Sequence, residues 1–477
     1  MSSRSFTISG PILLLFVSMV AASHAQSFTT LASFDSSNAS PGGGLVQGTD
    51  GNFYGVAENG GARGRGAIFS VTPTGTISGL SNFYGANGKT PTSLVLGEDG
   101  NFYGTTYYGG EDSAGTIFRM EPQGYLTSLY SFDSPAYPSG PLIQAADGNF
   151  YGTTVNGGET LGAGDVFKIT PDGTLSTIYN FCSRANCTDG KMPFGTLVQG
   201  NDGSFYGTTD GGGANQFYGT IFRVTPGGSM TVLYSFCSQS KCADGFQGNG
   251  LLQGADGNFY GITALGGSYS GGACSRNGCG TIFRITPTGS YTLLHTFCTE
   301  TGCPDGNQPA LLIQATDGNF YGTTGLGGSN SSCPNSNGCG TVYQLTQSGQ
   351  FTLLHSFGGS DGMYAGARLL QYTNGNFYGL TGSGGAYGYG TVFSFSMGLA
   401  PFVHLVRPSG KVGQTGAILG QGLTGTTAVL INGTAASFTV VSDTLLEATV
   451  PAGATSGFVT VETPAGSLTS DDVFQVR

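Results

Sequence analysis

Ten cysteines, four histidines and a thin scatter of carboxylates are the side chains through which this sequence could do chemistry. The cysteines fall into five close pairs: Cys182 with Cys187, Cys237 with Cys242, Cys274 with Cys279, Cys298 with Cys303, and Cys333 with Cys339. Paired spacing and an even count predict disulfides in an exported chain. No histidine falls within a pair to complete a mixed zinc set. Each bridge would close a short ring and mainly stiffen its own loop. Of the histidines, His295 and His355 fall where sister segments place Tyr130, Tyr179 and Tyr234, which marks a packing position. His404 stands near the end of the chain, and no Ser-His-Asp or Cys-His arrangement can be assembled. No catalytic residue, cofactor or metal is expected.

The carboxylates come in three groups. One recurs in the turn Asp-Gly-Asn, where Asp suits the backbone by itself; a calcium loop would need oxygen ligands at alternate positions. A second recurs as Asp189, Asp244, Asp305 and Asp361, each followed by glycine, and reads as turn-forming. The third is scattered: Glu58, Glu111, Asp112, Glu159 and Asp210. A glycoside hydrolase would need two of these facing each other across about 5 to 10 Å; solvated acids are the plain expectation. Aromatic side chains outside the repeating template offer flat apolar faces with polar tips, suited to sugar rings or a protein partner. They are Tyr84, Tyr107, Tyr108, Tyr137, Phe217, Tyr218, Tyr269, Tyr364, Tyr387 and Tyr389.

A repeat must position all of these. Asp-Gly-Asn-Phe-Tyr-Gly, or a close variant, begins at Asp50, Asp99, Asp147, Asp202, Asp256, Asp317 and Asn374, at intervals of 48 to 61 residues. That period marks a propeller or repeat array. Around each copy the pattern reads as four short antiparallel strands. A strand enters the Asp-Gly turn, an aromatic strand follows, a glycine-rich loop leads to a third strand, and a Pro-x-Gly turn leads to a fourth. The last copy lacks its fourth strand. Ser27 to Phe34 carries the missing pattern, so the N-terminal strand should complete the final blade and leave no open sheet edge. The two short turns then share one side of the ring. The long loops, which hold all ten cysteines and the ten aromatics, share the other, where a rigid scaffold favours binding.

Residues 399–477 break the period. Strand-like alternation over 426–432, 436–441, 445–450 and 457–463 predicts a small β-sandwich. The fold class expected is therefore all-β: a seven-bladed β-propeller over 26–398 closed by an N-terminal strand, then an immunoglobulin-like β-sandwich over 399–477. Residues 1–25 read as a signal peptide, with Arg4, an apolar stretch from Ile12 to Ala22, and cleavage before Gln26. No later stretch is apolar enough to span a membrane. A net charge of −11 excludes a phosphate-binding face, so no nucleic-acid partner is expected.

The unit Asp-Gly-Asn-Phe-Tyr-Gly-Thr-Thr, Gly-Gly, Gly-Thr-Ile-Phe-Arg and Thr-Pro-x-Gly resembles the GloVer (Gloeo_Verruco) tandem repeat of exported bacterial proteins, over almost all of residues 27–395. That resemblance implies a propeller-like fold and export, and no established activity. The tail resembles an IPT/TIG domain through Val406-Arg407-Pro408-Ser409-Gly410, Gly420-Gln421-Gly422-Leu423 and Val450-Pro451-Ala452-Gly453-Ala454. Such modules imply a spacer or docking role. The expected function is a secreted, periplasmic or cell-surface binding or scaffold protein, non-catalytic, whose ligand is an extracellular glycan or protein at the long-loop face. The alternatives are a carbohydrate-active hydrolase or lyase using rim carboxylates, and a structural surface component.

Overall fold

A computed structural model describes residues 27–133, 135–159, 162–267, 274 and 277–477. The expected signal peptide and Tyr269 lie outside the described residues. The chain is all-β, with three single-turn 3-10 helices among the described residues. No helix among them is long and apolar enough to cross a membrane.

Seven successive sheets follow the repeat, each antiparallel and ordered as the chain runs. Sheet 1 is Pro41–Gln47, Phe53–Ala57, Ala67–Val71 and Ile77–Asn82. Sheets 2 to 6 open at Lys89–Leu96, Ile143–Gln144, Lys191–Gln199, Phe246–Gln253 and Asn307–Pro309. Sheet 7 takes three strands from its own repeat, Leu370–Gln371, Phe377–Thr381 and Thr391–Ser396, and its fourth from Ser27–Ser33. That N-terminal strand runs antiparallel to Thr391–Ser396, pairing Ser27 with Ser396 and Phe28 with Phe395.

The first strands of neighbouring sheets crowd together. A side chain at Gly43 would collide with the Thr92 carbonyl, and one at Gly195, held at φ +83°, with the backbone of Gly250. Glycine is needed there because no Cβ can fit between the converging strands. Outward, the sheets meet through the two aromatics of the repeat. Tyr54 lies on Phe102, Tyr103 on Phe150, Tyr151 on Phe205, Tyr206 on Phe259, Tyr260 on Phe320 and Tyr321 on Phe377, at centroid separations of 4.0–4.4 Å. Tyr378 of sheet 7 meets Phe53 of sheet 1 at 4.4 Å, which closes the circle. Each such pair contributes about 0.5–1.5 kcal/mol beyond its buried area.

The same tyrosines explain the motif's acid. In sheet 2, Asp99 accepts from the Asn101 backbone and side chain and from the Tyr103 hydroxyl, at 2.7–3.1 Å. The pattern repeats at Asp50, Asp147, Asp256 and Asp317. The Asp therefore ties the turn to the buried ring four residues on.

The tail forms two further sheets. One runs His404–Leu405, Thr415–Leu419, Leu445–Thr449, Ser437–Val440; the other contains Ala428–Ile431, Gly457–Thr463 and Gly466–Val476. Val403, Leu423, Leu446 and Val461 sit in the core between them.

Candidate functional site

The long-loop end of the ring is built on a backbone feature that no side-chain type marks, although five of its seven positions precede a proline. Where the chain enters each first strand, one non-glycine residue adopts left-handed geometry: Ser40, Thr90, Tyr137, Met192, Gln247, Gln308 and Tyr364, at φ +52° to +59°. Each donates its N–H to a carbonyl of the preceding sheet. Thr90 bonds Arg65 at 2.9 Å, Tyr137 bonds Ala114 at 3.1 Å and Tyr364 bonds Cys339 at 3.0 Å. Met192, Gln247 and Gln308 bond Ala163, Tyr218 and Cys279 in the same way. Ser40 of sheet 1 bonds Tyr389 of sheet 7 at 3.3 Å, so the series is circular. Left-handed geometry costs an L-residue about 1–2 kcal/mol, and it persists because it turns the N–H toward the neighbouring sheet.

The rim aromatics divide among separate places on this end. Tyr107 and Tyr108 of sheet 2 meet Tyr137 at the entry of sheet 3. Tyr107 stacks on Tyr137 at 5.2 Å with 8° between planes, and Tyr108 stands edge-on to both at 4.7 and 5.5 Å. Lys89 lies 5.9 Å over the Tyr108 ring. Tyr84 carries Arg63 over its face at 5.3 Å. Tyr218 packs edge-on against Phe246, and the Tyr364 hydroxyl accepts from Asn335 at 2.8 Å. Phe217 and Tyr387 are the most exposed, at 71% and 67%, and Tyr389 is exposed as well. Three of the predicted aromatics thus form one cluster, and none of the other described ones makes a ring contact with it.

The scattered acids also separate. Glu111, Asp112 and Glu159 are exposed. Glu58 and Asp210 are not: both sit at the position that Tyr107 holds in its sheet, at the end of the second strand. Burial pushes the Glu58 carboxyl above its ordinary range and lifts Asp210 to about 7. Neither has an ion-pair partner among the described residues. Sequence reasoning placed these two with the solvated acids. Their shared repeat position, next to the loop glycines, was the signal that distinguishes them.

The second recurring acid does more than turn the chain. Asp189 and Asp244 are fully buried and accept from the Tyr179 and Tyr234 hydroxyls at 2.7 Å. Asp305 and Asp361 meet His295 Nε2 at 3.0 Å and His355 Nε2 at 2.7 Å. Burial opposes ionisation of Asp361, but the bonds from His355 and the Gly358 N–H outweigh it and hold the carboxyl below its usual range. The histidines therefore replace tyrosine in a recurring tie between the fourth strand and the loop after it. All five predicted disulfides are formed, and no cysteine is free among the described residues.

At the opposite, short-turn end, glutamine side chains join the sheets. Gln144, Gln199, Gln253, Gln314 and Gln371 each accept an N–H from the preceding sheet at 2.8–3.0 Å. Gln47 bonds Thr373 of sheet 7 through both side-chain atoms, at 3.0 and 3.4 Å. Leu96 takes this place in sheet 2, so the junction of sheets 1 and 2 has no such bond. The tail docks there. Leu419 packs among Tyr54, Leu94, Leu96 and Phe102, Thr444 donates to the Thr49 carbonyl at 2.7 Å, and Arg407 pairs with Glu98. Gln421 reaches Tyr372 at 2.7 Å and Thr373 at 3.0 Å.

Among solved structures, the chain is similar to a streptogramin B lyase, with a TM-score of 0.53 at 15% identity over 78% of this chain and 97% of that one. A catalytically inactive virginiamycin B lyase from Staphylococcus aureus with quinupristin gives 0.52 at 15% identity, over 78% and 99%. A fungal alcohol oxidase of the AA5 family in complex with copper gives 0.52 at 13% identity, over 94% and 98%. At such identities the likeness concerns the fold alone, which is propeller-like. No curated protein sequence matches significantly. The IPT/TIG domain model matches residues 401–475. The Gloeobacter/Verrucomicrobia repeat model matches residues 18–198 and 273–430, and with most of its length so covered the chain belongs to that repeat family.

Proposed function

We propose that this chain is an exported, non-catalytic binding protein: a seven-bladed propeller over 26–398 that presents its long-loop end to an extracellular glycan or protein, with an immunoglobulin-like domain over 399–477 docked on the short-turn end. One observation carries the reading. The cluster of Tyr107, Tyr108 and Tyr137 spans two sheets on the loop end, with one ring exposed and two half-buried. Stacked tyrosines, two on a strand and the third held by its backbone bond to Ala114, offer a flat platform at little entropic cost, which suits a sugar ring or an apolar peptide face. The short-turn end has less free surface to offer, because the tail occupies part of it.

The test is retention of the full-length chain on immobilised polysaccharides and on purified envelope fractions. Binding that falls at least tenfold in a Tyr107→Ala/Tyr137→Ala variant is expected. Retention by nothing, or retention indifferent to these changes, would overturn the reading.

The second reading, a carbohydrate hydrolase or lyase, is favoured by the raised carboxyls of Glu58 and Asp210. It predicts release of reducing ends or unsaturated sugars from some polysaccharide, lost in Glu58→Gln or Asp210→Asn. Binding without any product at all pH values from 4 to 8 would remove it.

A further inference from the structure

Sheet 5 differs from its sisters in how its sulfur is placed. The loop after the fourth strand carries a cysteine pair in sheets 3, 4 and 5, as Cys182–Cys187, Cys237–Cys242 and Cys298–Cys303. The loop after the second strand carries one in sheets 5 and 6, as Cys274–Cys279 and Cys333–Cys339. Only in sheet 5 do both loops carry a pair. There the two disulfides lie side by side, and the Sγ atoms of Cys274, Cys279, Cys298 and Cys303 all fall within 4.8 Å of one another. No other cluster of three or more potential metal-ligating groups occurs among the described residues.

Their surroundings are apolar. Cys279, Cys298 and Cys303 are buried and Cys274 is half-buried, in a cluster with Ile282, Phe297 and Leu312. As loop stiffeners the two bridges act independently, since each constrains only its own short ring, and neither needs the other nearby. As a ligand set it is complete. Zinc takes four thiolates at about 2.3 Å in a tetrahedron, which sets the sulfurs about 3.8 Å apart, and it favours pairs with two to four intervening residues. Both pairs here have four.

We propose that the reduced chain holds one zinc ion on Cys274, Cys279, Cys298 and Cys303, so that these four sulfurs form either two disulfides or one tetrathiolate centre. The interconversion balances. A dithiol reductant gives each disulfide two electrons and two protons, yielding two thiols, and is itself closed to a disulfide. Zinc then takes the four thiolates and the four displaced protons pass to water. Four soft thiolates select zinc over calcium or magnesium. The solitary pairs of sheets 3 and 4 provide only two thiolates each and serve as internal controls.

Cobalt titration of the full chain, reduced with a phosphine, tests this. The visible bands of tetrahedral cobalt thiolate should saturate at one equivalent, with the charge-transfer intensity of four sulfurs, and should vanish when zinc is added. The Cys182→Ser/Cys187→Ser variant should titrate unchanged, and Cys298→Ser/Cys303→Ser should lose the bands. The oxidised chain should take up no cobalt. Absence of the bands in the reduced wild-type chain, an intensity corresponding to two sulfurs, or bands surviving in Cys298→Ser/Cys303→Ser would each overturn the proposal. The intensity in the wild-type chain decides the sulfur count by itself, so the proposal stays falsifiable even if a variant fails to fold.

Discussion

The two ends of the ring are joined by different chemistry. At the short-turn end the bonds between sheets come from side chains, and one substitution can remove one, as Leu96 does. At the long-loop end they come from the backbone, and seven residues with no common side chain hold the same left-handed geometry. The first kind of junction tolerates a gap only where another part of the molecule covers it. The second leaves its side chains free to vary, which is what a surface that must adapt to a ligand requires.

The largest test of this contrast lies at the covered gap. Arg407 is buried against Glu98, with 8% of its side chain exposed, and Arg407→Ala strands a carboxylate that burial already pushes toward its neutral form. A loss of about 3–5 kcal/mol in tail docking is expected, seen as separate unfolding of tail and ring by calorimetry. A single unshifted transition would mean that the gap needs no cover.

The next test is at the long-loop end. In five sheets a threonine pair joins the second and third strands, as Thr106 with Thr116 at 2.9 Å and Thr209 with Thr220 at 3.0 Å. Sheet 3 has Asp165 bonded to Thr154 at 2.7 Å instead, 7% exposed, and burial raises its carboxyl from 3.8 to about 6. The folded state thus holds the proton more tightly than the unfolded chain. Asp165 costs no stability below about pH 4; a penalty grows between pH 4 and 6 and is full above that. Asp165→Thr should gain up to about 3 kcal/mol at pH 8 and nothing below pH 4. An equal gain at both pH values would show that the carboxyl's charge is not the cause.

Gln253→Leu copies the Leu96 condition at the junction of sheets 4 and 5. It removes the acceptor for Asn201 N–H and the donor to the Gly257 carbonyl, and should cost about 1–2 kcal/mol in denaturant unfolding. The smallest effect should come from Thr90→Gly at the other end. Relief of left-handed strain and glycine's added chain entropy nearly cancel, leaving a change under about 1 kcal/mol. A large loss there would mean that the Thr90 side chain, not its backbone, holds the junction.

These contrasts also decide what the sequence could disclose. The Asp-Gly-Asn-Phe-Tyr unit made the four-strand pattern and the place of Ser27–Ser33 legible, because turn residues and buried aromatics repeat in type as well as position. The glutamine bonds were visible in principle as a Gln three residues before six of the seven turns, but a polar side chain on a first strand has no partner until neighbouring sheets are assembled. The left-handed residues carry no signal in their own side chains, although a proline follows five of the seven, as Pro41, Pro91, Pro138, Pro193 and Pro309. Ser40, Met192 and Tyr364 share a backbone geometry and no side-chain type, so Tyr137 and Tyr364 read as loop aromatics when they are also structural members of the ring. Likewise, proximity of the two cysteine pairs in sheet 5 depends on how two loops of one sheet fold back, which spacing along the chain does not show.

Hydrogen exchange of the backbone amides, read by mass spectrometry on the oxidised chain, tests the closed ring most directly. Ser40 donates to Tyr389 between sheets 1 and 7, and Phe34 donates to Gly390 where the N-terminal strand completes sheet 7. Their protection should match that of Thr90, Tyr137 and Met192 at the internal junctions within about tenfold. If Ser40 and Phe34 exchange freely while the other six junctions remain protected, the ring is open at its two ends and the account of both faces fails.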